Sequence, residues 1–249
     1  MLEVKNLKFS YKNKLVFDNI NFSVNKGEIL IVMGLNGSGK STLLKSIAHL
    51  LKYHGAILLD NVELKNFSIS ERVKKISYLP QKFLGERVTV YDAIMLGRKP
   101  YIRINPSEID KKKVNKIVNF LKLNEIANKY CDEISGGELQ KVFIGRALAQ
   151  EPKLLLLDEP VNHLDIYNQI EVMNMIRKIV KELNLIGIIV LHDLNTALKY
   201  GDKFLFLKKG KIISFGDKTI INEDSLKKIF NLNLKIQKIN EFLFIIPKN

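Results

Sequence analysis

The sequence predicts an α/β fold in which a mainly parallel sheet is covered by helices on both faces. Three observations carry that prediction. The short apolar runs EILIVMG (28–34), KLLLLDEP (153–160) and IGIIVLH (186–192) lack polar alternation, as expected of strands buried on both faces. Segments of helical period separate them, the pattern of a sheet wound by crossover connections. The stretch 85–150, rich in helix-forming and polar residues, stands between two core strands and reads as an inserted helical lobe.

The elements follow in order. Residues 2–11 (LEVKNLKFSY) and 17–24 (FDNINFSV) alternate apolar with polar and predict antiparallel strands joined by the turn YKNK. The run 28–33 is a buried strand ending at Gly34. STLLKSIAHLLK (41–52) predicts an amphipathic helix with Leu43, Leu44, Ile47, Ala48 and Leu51 on one face. HGAILLDNVEL (54–64) predicts a second hairpin, and KISYLP (75–80) a short strand. A helical region is expected from about Val90 to Lys129, with the lysine run 111–113 on a solvated face. Strand 154–158, a helix near 166–183, strand 187–192 and a strand pair over 204–216 complete the series. The predicted organisation is one domain over 1–249. Its core spans about 1–84 and 151–249 and includes an antiparallel β subdomain; its α-helical subdomain spans about 85–150.

Composition bounds the function. The chain has 249 residues, 46% of them hydrophobic, enough for one large core. Its formal charge of +14 favours anionic partners. The lysines are spread along the chain without a block of five or six like charges, so background composition is the simpler account. A nucleic-acid partner is not expected. The single cysteine, Cys131, excludes an intrachain disulfide and fits a reducing compartment. The N-terminal residues lack the apolar stretch of a signal peptide. No apolar run approaches the ~18–20 residues of a membrane span, so a membrane role is expected to pass through a partner.

Chemistry concentrates at strand ends. GLNGSGKST (34–42) fits G-x-x-x-x-G-K-[ST] from Gly34 to Ser41, between an apolar strand and a helix. There Gly34, Asn36, Gly37, Ser38 and Gly39 form a loop whose N–H groups close around nucleotide phosphates. Lys40 neutralises the β- and γ-phosphates, Ser41 offers its hydroxyl to Mg2+, and Thr42 lies near the α-phosphate. Asp158 and Glu159 emerge at the end of the run LLLLD, where ligands of doubly wound sheets bind. Asp158 is suited to hold Mg2+ directly or through water, and Glu159 to take a proton from a water attacking the γ-phosphate. Without the upstream loop, the same pair would read as two acids capping a strand.

Three single residues are more ambiguous. Gln81, after the strand SYLP, can meet metal and attacking water through its amide, or be a polar loop residue. His192 ends another strand and can donate to the γ-phosphate or the water, although a lone histidine is usually structural. Tyr11 can stack on adenine or be a strand-end aromatic.

ISGGELQK (134–141) is a second candidate phosphate site. Ser135, Gly136 and Gly137 would present a hydroxyl and N–H groups at a helix start, where the dipole is positive, but no lysine accompanies them. Alone, such a turn should bind phosphate weakly. The economical reading is that it completes a nucleotide site begun on the P-loop of a second copy, giving two nucleotides at an isologous interface.

With these motifs in order along nearly its whole length, the chain resembles the ATP-binding subunit of ABC transporters. Tyr11 matches the A-loop, Gly34–Thr42 the Walker A segment and Gln81 the Q-loop. Residues 134–138 match the LSGGQ signature, 154–159 the Walker B strand with its glutamate, NHLD (162–165) the D-loop, and His192 the switch histidine. Ile134 and Glu138 depart from the signature. A carboxylate facing a γ-phosphate would repel it, so Glu138 is expected to turn outward and gain from the helix N-terminus.

The resemblance implies a P-loop NTPase core that binds and hydrolyses ATP with Mg2+. It further implies a homodimer that closes on ATP, with Asp165 linking the two sites. The implied partners are integral-membrane permease subunits and, indirectly, an external substrate-binding protein, at the cytoplasmic face of the cell membrane. Residues of about 82–101 would line the groove that docks the permease. LGRKPY (96–101), HDLNTAL (192–198) and the tail GDKTIINEDSLKKIF (216–230) look like the importer branch for iron chelates, haem and cobalamin. Some molybdate or tungstate importers share that branch. The alternative is a non-transport ABC ATPase of DNA repair or translation. Only about fifty residues separate Gln81 from Ser135, too few for a long coiled-coil arm, and a single ATPase domain is evident. A P-loop kinase or GTPase would leave ISGGE unexplained.

Overall fold

Alternating apolar residues build the N-terminal layer. In the computed structural model, which describes residues 1–81, 87–239 and 242–248, β1 (Leu2–Tyr11) and β2 (Lys14–Val24) pair antiparallel around a tight turn. A register shift between Val4 and Leu7 keeps Leu2, Val4, Leu7 and Phe9 all buried. β3 (Ile29–Met33) is buried at every position, as a strand covered on both faces must be. α1 (Lys40–Ile47) follows it.

α1 is shorter than its apolar pattern predicts. His49 adopts a left-handed φ of 58°. Its N–H reaches Ser46 O at 3.0 Å, and the Leu50 N–H reaches Lys45 O at 2.9 Å. These paired bonds satisfy the last carbonyls and end the helix before Leu50 and Leu51. β4 (His54–Leu59) and β5 (Val62–Glu63) form the expected hairpin. α2 (Ile69–Lys75), which the sequence reading left unassigned although S-x-x-E at 68–71 marks its start, begins on a reciprocal cap between Ser68 and Glu71. It leads into β6 (Ile76–Leu79).

The helical stretch expected from Val90 to Lys129 is broken. α3 (Val90–Met95) and α4 (Glu108–Phe120) are separated by Pro100 and Pro106, which disfavour helix at the residues before them. α5 (Gly136–Ala149) begins at the signature turn. β7 (Leu154–Asp158), α6 (Ile166–Glu182), β8 (Ile186–Val190), β9 (Lys203–Lys208) and β10 (Lys211–Gly216) match expectation closely, whereas α7 (Leu194–Tyr200), between β8 and β9, was left unassigned by the sequence reading. The tail adds α8 (Glu223–Phe230) and a hairpin of β11 (Leu234–Ile239) and β12 (Phe242–Pro247), which the sequence reading left as unassigned apolar and polar runs. That hairpin is anchored on α7: the Asn195 amide accepts from Ile245 N–H at 2.8 Å and donates to Ile245 O at 3.2 Å.

Among the described residues the strands form three sheets. The central one has the order β10-β9-β3-β8-β7-β6, parallel except for β10. An antiparallel sheet, β2-β1-β4-β5, packs beside it. The central strands send alternate side chains to two apolar clusters. Ile29, Ile31, Leu155, Leu157 and Ile189 meet α5, α6 and α7; Leu30, Val32, Leu154, Leu156 and Ile188 meet α1 and the antiparallel sheet. A third cluster, with Val90, Ile94, Val114, Val118, Leu121 and Val142, joins α3, α4 and α5, and Cys131 is buried in it. Each fully buried Leu or Val contributes about 1.5–3 kcal/mol relative to exposure, so these clusters hold the strand ends in place. No helix among the described residues is long and apolar enough to cross a membrane.

Candidate functional site

A cleft of about 880 Å3 opens where β3, β7 and β8 end, and sixteen side-by-side residues from distant segments line it, among them Tyr11, Asn36, Lys40, Gln81, Glu159 and His192. Parallel neighbours β3, β8 and β7 deliver their C-terminal loops to one edge, which is why residues so far apart in sequence converge.

The loop between β3 and α1 supplies the floor. Gly34 has φ 153°, and a Cβ there would lie 2.0 Å from Leu207 O, so only glycine fits. α1 starts at Gly39 with no side-chain cap and no acid in its first turn. Every other α-helix among the described residues has a side-chain cap. The N–H groups at this start therefore lack a protein carboxylate or hydroxyl, which suits them to an anion. Ser38 Oγ is buried beside them without a hydrogen-bond partner. Lys40 is 6% exposed and donates to Gly34 O at 2.9 Å and Leu35 O at 3.2 Å. Burial lowers its pKa, while Glu159 and Asp158 pull the other way and favour its charged form.

Asp158 ends β7 and is 3% exposed. Ser41 Oγ donates to its Oδ1 at 3.1 Å, and the Tyr78 hydroxyl donates to its Oδ2 at 3.2 Å. Burial raises its pKa above the ordinary carboxylate range, and the two hydroxyls partly offset that. Among the described residues no group of three or more His, Cys, Asp and Glu is placed to hold a metal ion. Ser41 and Asp158 offer two adjacent oxygens. That donor set fits a hard cation which takes its remaining ligands from phosphate and water, the usual habit of Mg2+.

Glu159 has a left-handed φ of 56°, a conformation that costs a non-glycine residue about 1–3 kcal/mol. Its carboxylate is gripped from three sides. Gln81 Nε2 donates to Oε2 at 2.5 Å, Asn162 Nδ2 donates to the same oxygen, and His192 Nε2 meets Oε1. Gln81 and His192 thus meet at Glu159, a convergence their separate strand ends did not reveal.

The signature turn lies apart: Ser135, Gly136, Gly137 and Asp165 do not line the cleft. Ser135 caps α5, but its hydroxyl is not free as the sequence suggested. It donates to Glu138 Oε2 at 2.8 Å, and Ser135 N–H reaches the same oxygen at 2.9 Å. Glu138 accordingly folds back over the helix start rather than outward, and these Ser135 hydrogen bonds lower its pKa. Gly137 sits close to Asn168: a Cβ there would lie 2.3 Å from Asn168 Oδ1, so a larger residue would displace that side chain. Asn168 in turn donates through N–H and Nδ2 to Asp165, the cap of α6, at 2.8 and 2.7 Å. The signature turn and Asp165 are therefore packed together within one copy.

The sequence pattern of the ABC transporter family matches residues 17–162. The chain belongs to that family, as its ATP-binding and ATP-hydrolysing cassette. This ABC ATPase is 45% identical to an uncharacterized ABC transporter ATP-binding protein, MJ0089, of Methanocaldococcus jannaschii, over 99% of this chain and 98% of the relative. It is 35% identical to the petrobactin import ATP-binding protein YclP of Bacillus subtilis, over 96% of each chain. Its fold matches a chain of an inward-facing ABC transporter assigned to the metal-chelate type, with TM-score 0.88, 30% identity, and coverage of 100% of this chain and 97% of that one. It also matches the cassette MJ0796, whose structure is a dimer bound to ADP and Pi after hydrolysis, with TM-score 0.75, 28% identity, and coverage of 87% and 98%.

Sequence reasoning missed four residues of this ABC ATPase. Lys14 and Lys209 line the cleft beside Tyr11, where turn position alone gave no signal. Asn162 was seen only as part of NHLD; its spacing of three from Glu159, closed by an Asn162 N–H to Glu159 O bond at 3.3 Å, was the available hint. Tyr78 was taken as a strand residue, although a polar tip on a buried strand commonly has a partner.

Proposed function

We propose that this ABC ATPase powers import of a ferric chelate, with haem and cobalamin as the neighbouring possibilities of the same branch. The observation that supports it is the likeness to the petrobactin import protein, which covers 96% of both chains instead of the nucleotide site alone. The test is uptake of radioactive ferric siderophore, and of molybdate, in cells lacking this chain. Restoration of chelate uptake by wild type but not by Glu159→Gln supports the reading; restoration of molybdate uptake alone refutes it.

In this reading the loop Gly34–Thr42 cradles the phosphates, with Asn36, Gly37, Ser38 and Gly39 giving N–H groups and Lys40 its charge. Tyr11 stacks on the base. Ser41, Asp158 and Gln81 would hold Mg2+, which would supply positive charge against the phosphates. Glu159 receives the proton of the attacking water, with its carboxylate held by Gln81, Asn162 and His192. His192 then stands at hand to donate to the γ-phosphate. The signature residues Ser135–Gly137 of a second copy close the cleft, and Asp165 links the two sites.

The permease reads this state from the side. A second cleft, of about 390 Å3, is lined by Leu79, Leu96, Lys99, Pro100, Phe143 and Gln150, among others. It lies between the sheet edge and the helices we assign to the helical subdomain of about 85–150. Leu96–Pro100 belong to the predicted docking stretch 82–101; residues 82–86 of that stretch, and the subdomain boundary near 84–85, lie outside the described residues. Attachment there would place the chain on the cytoplasmic face of the membrane, beneath permease subunits fed by an external binding protein.

A further inference from the structure

We infer that Tyr78 is a positioning residue for Asp158: its phenol, borne by the strand that walls the side cleft, fixes which carboxylate oxygen faces Ser41. The inference rests on the proposed role of Asp158 toward the metal.

The geometry is direct. β6 is the edge strand of the central sheet, and Ser77, Tyr78 and Leu79 all line the side cleft. Tyr78 lies opposite Leu156 in the parallel pairing with β7, and Asp158 is two residues further on, so it shares the face of Leu156. Two residues span about 6–7 Å, a distance a phenol bridges. The hydroxyl meets Oδ2 at 3.2 Å while Ser41 Oγ meets Oδ1 at 3.1 Å. With both oxygens engaged, rotation of the carboxylate is blocked. A phenylalanine would serve the packing of this ring against the adjoining apolar cluster equally well, so packing does not account for the hydroxyl. Beyond the end of β6, past Pro80, the chain reaches Gln81, which holds Glu159. β6 and the residues just after it therefore carry one contact to each of the two acids, and β6 itself walls the side cleft.

The test uses the purified chain, with ATP affinity measured calorimetrically in EDTA and Mn2+ affinity of the ATP complex measured by paramagnetic resonance. Tyr78→Phe is expected to bind ATP in EDTA within about twofold of wild type. Its Mn2+ affinity is expected to fall about tenfold, the range of one hydrogen bond to a buried charge. In an Asp158→Asn background the same substitution is expected to change Mn2+ affinity no further. Unchanged Mn2+ affinity in Tyr78→Phe, or an additive loss in the double variant, overturns the positioning role. Unchanged Mn2+ affinity in Asp158→Asn overturns it at its foundation, by removing Asp158 from the metal site. Thermal melting without nucleotide separates these results from misfolding, and the double-variant comparison holds even if Tyr78→Phe melts lower.

Discussion

Two helix starts in this chain face the same physical problem and solve it oppositely. α1 begins at Gly39 with no side-chain cap, a buried unpartnered hydroxyl at Ser38 and a buried lysine beside it. α5 begins at Ser135, whose side chain and backbone are both satisfied by Glu138. The first start keeps its donors for a ligand and supplies a compensating charge. The second satisfies itself and lies outside the cleft. A start of the first kind is suited to bind a phosphate by itself; one of the second kind, already occupied by its own carboxylate, is not. The difference explains why only one of the two glycine-rich turns needs a lysine.

That contrast can be attacked at each end. The largest effect is expected at the acid that the P-loop serves: Glu159→Gln should lower turnover by about 10²–10⁴-fold, the range of general-base catalysis, while retaining ATP. Phosphate release measures the loss, and size exclusion at saturating MgATP should show a dimer; a monomer there would contradict a site shared between copies. Lys40→Ala should weaken ATP binding about ten- to a hundredfold, as expected for removal of a charged donor. Calorimetry with unchanged affinity would remove the asymmetry between the two starts.

Smaller effects are expected at α5. Ser135→Ala should cost about 1 kcal/mol of helix capping and weaken ATP-driven dimerisation by up to about tenfold, with the monomer's own ATP affinity unaltered. Glu138→Gln keeps the reciprocal cap but removes the charge. It should strengthen ATP-driven dimerisation by about two- to fivefold at low salt, and the gain should vanish at high salt; light scattering across a salt series decides it.

The smallest effect concerns the scaffold behind α5. The Ser107 hydroxyl and N–H, with Arg98, hold Asp110 down at about 2. Its folded pKa is depressed, so its stabilisation is complete above the ordinary carboxylate range and is lost as pH falls from about 4 to about 2. The melting-temperature difference between wild type and Asp110→Asn should shrink over that window.

Much of this was legible in the chain. Uninterrupted apolar runs identified β3, β7 and β8 because burial on both faces leaves no place for alternation. The P-loop was legible because its glycines, lysine and serine are consecutive. Helix limits were less so. α1 stops at Ile47 through a left-handed His49, a residue with no breaker signal, and α8 with the β11–β12 hairpin gains its place by docking on α7 and the sheet.

Local order in the chain was thus sufficient for the class of fold, the phosphate loop and the pair of acids at Asp158 and Glu159, since each depends on neighbours along the backbone. Folding alone decided that Gln81 and His192 meet on one carboxylate and that Tyr78 reaches Asp158. Those contacts join residues through strand order and hydrogen-bond geometry in space, and a hydroxyl or amide has the same letter whether its partner lies beside it or across the sheet.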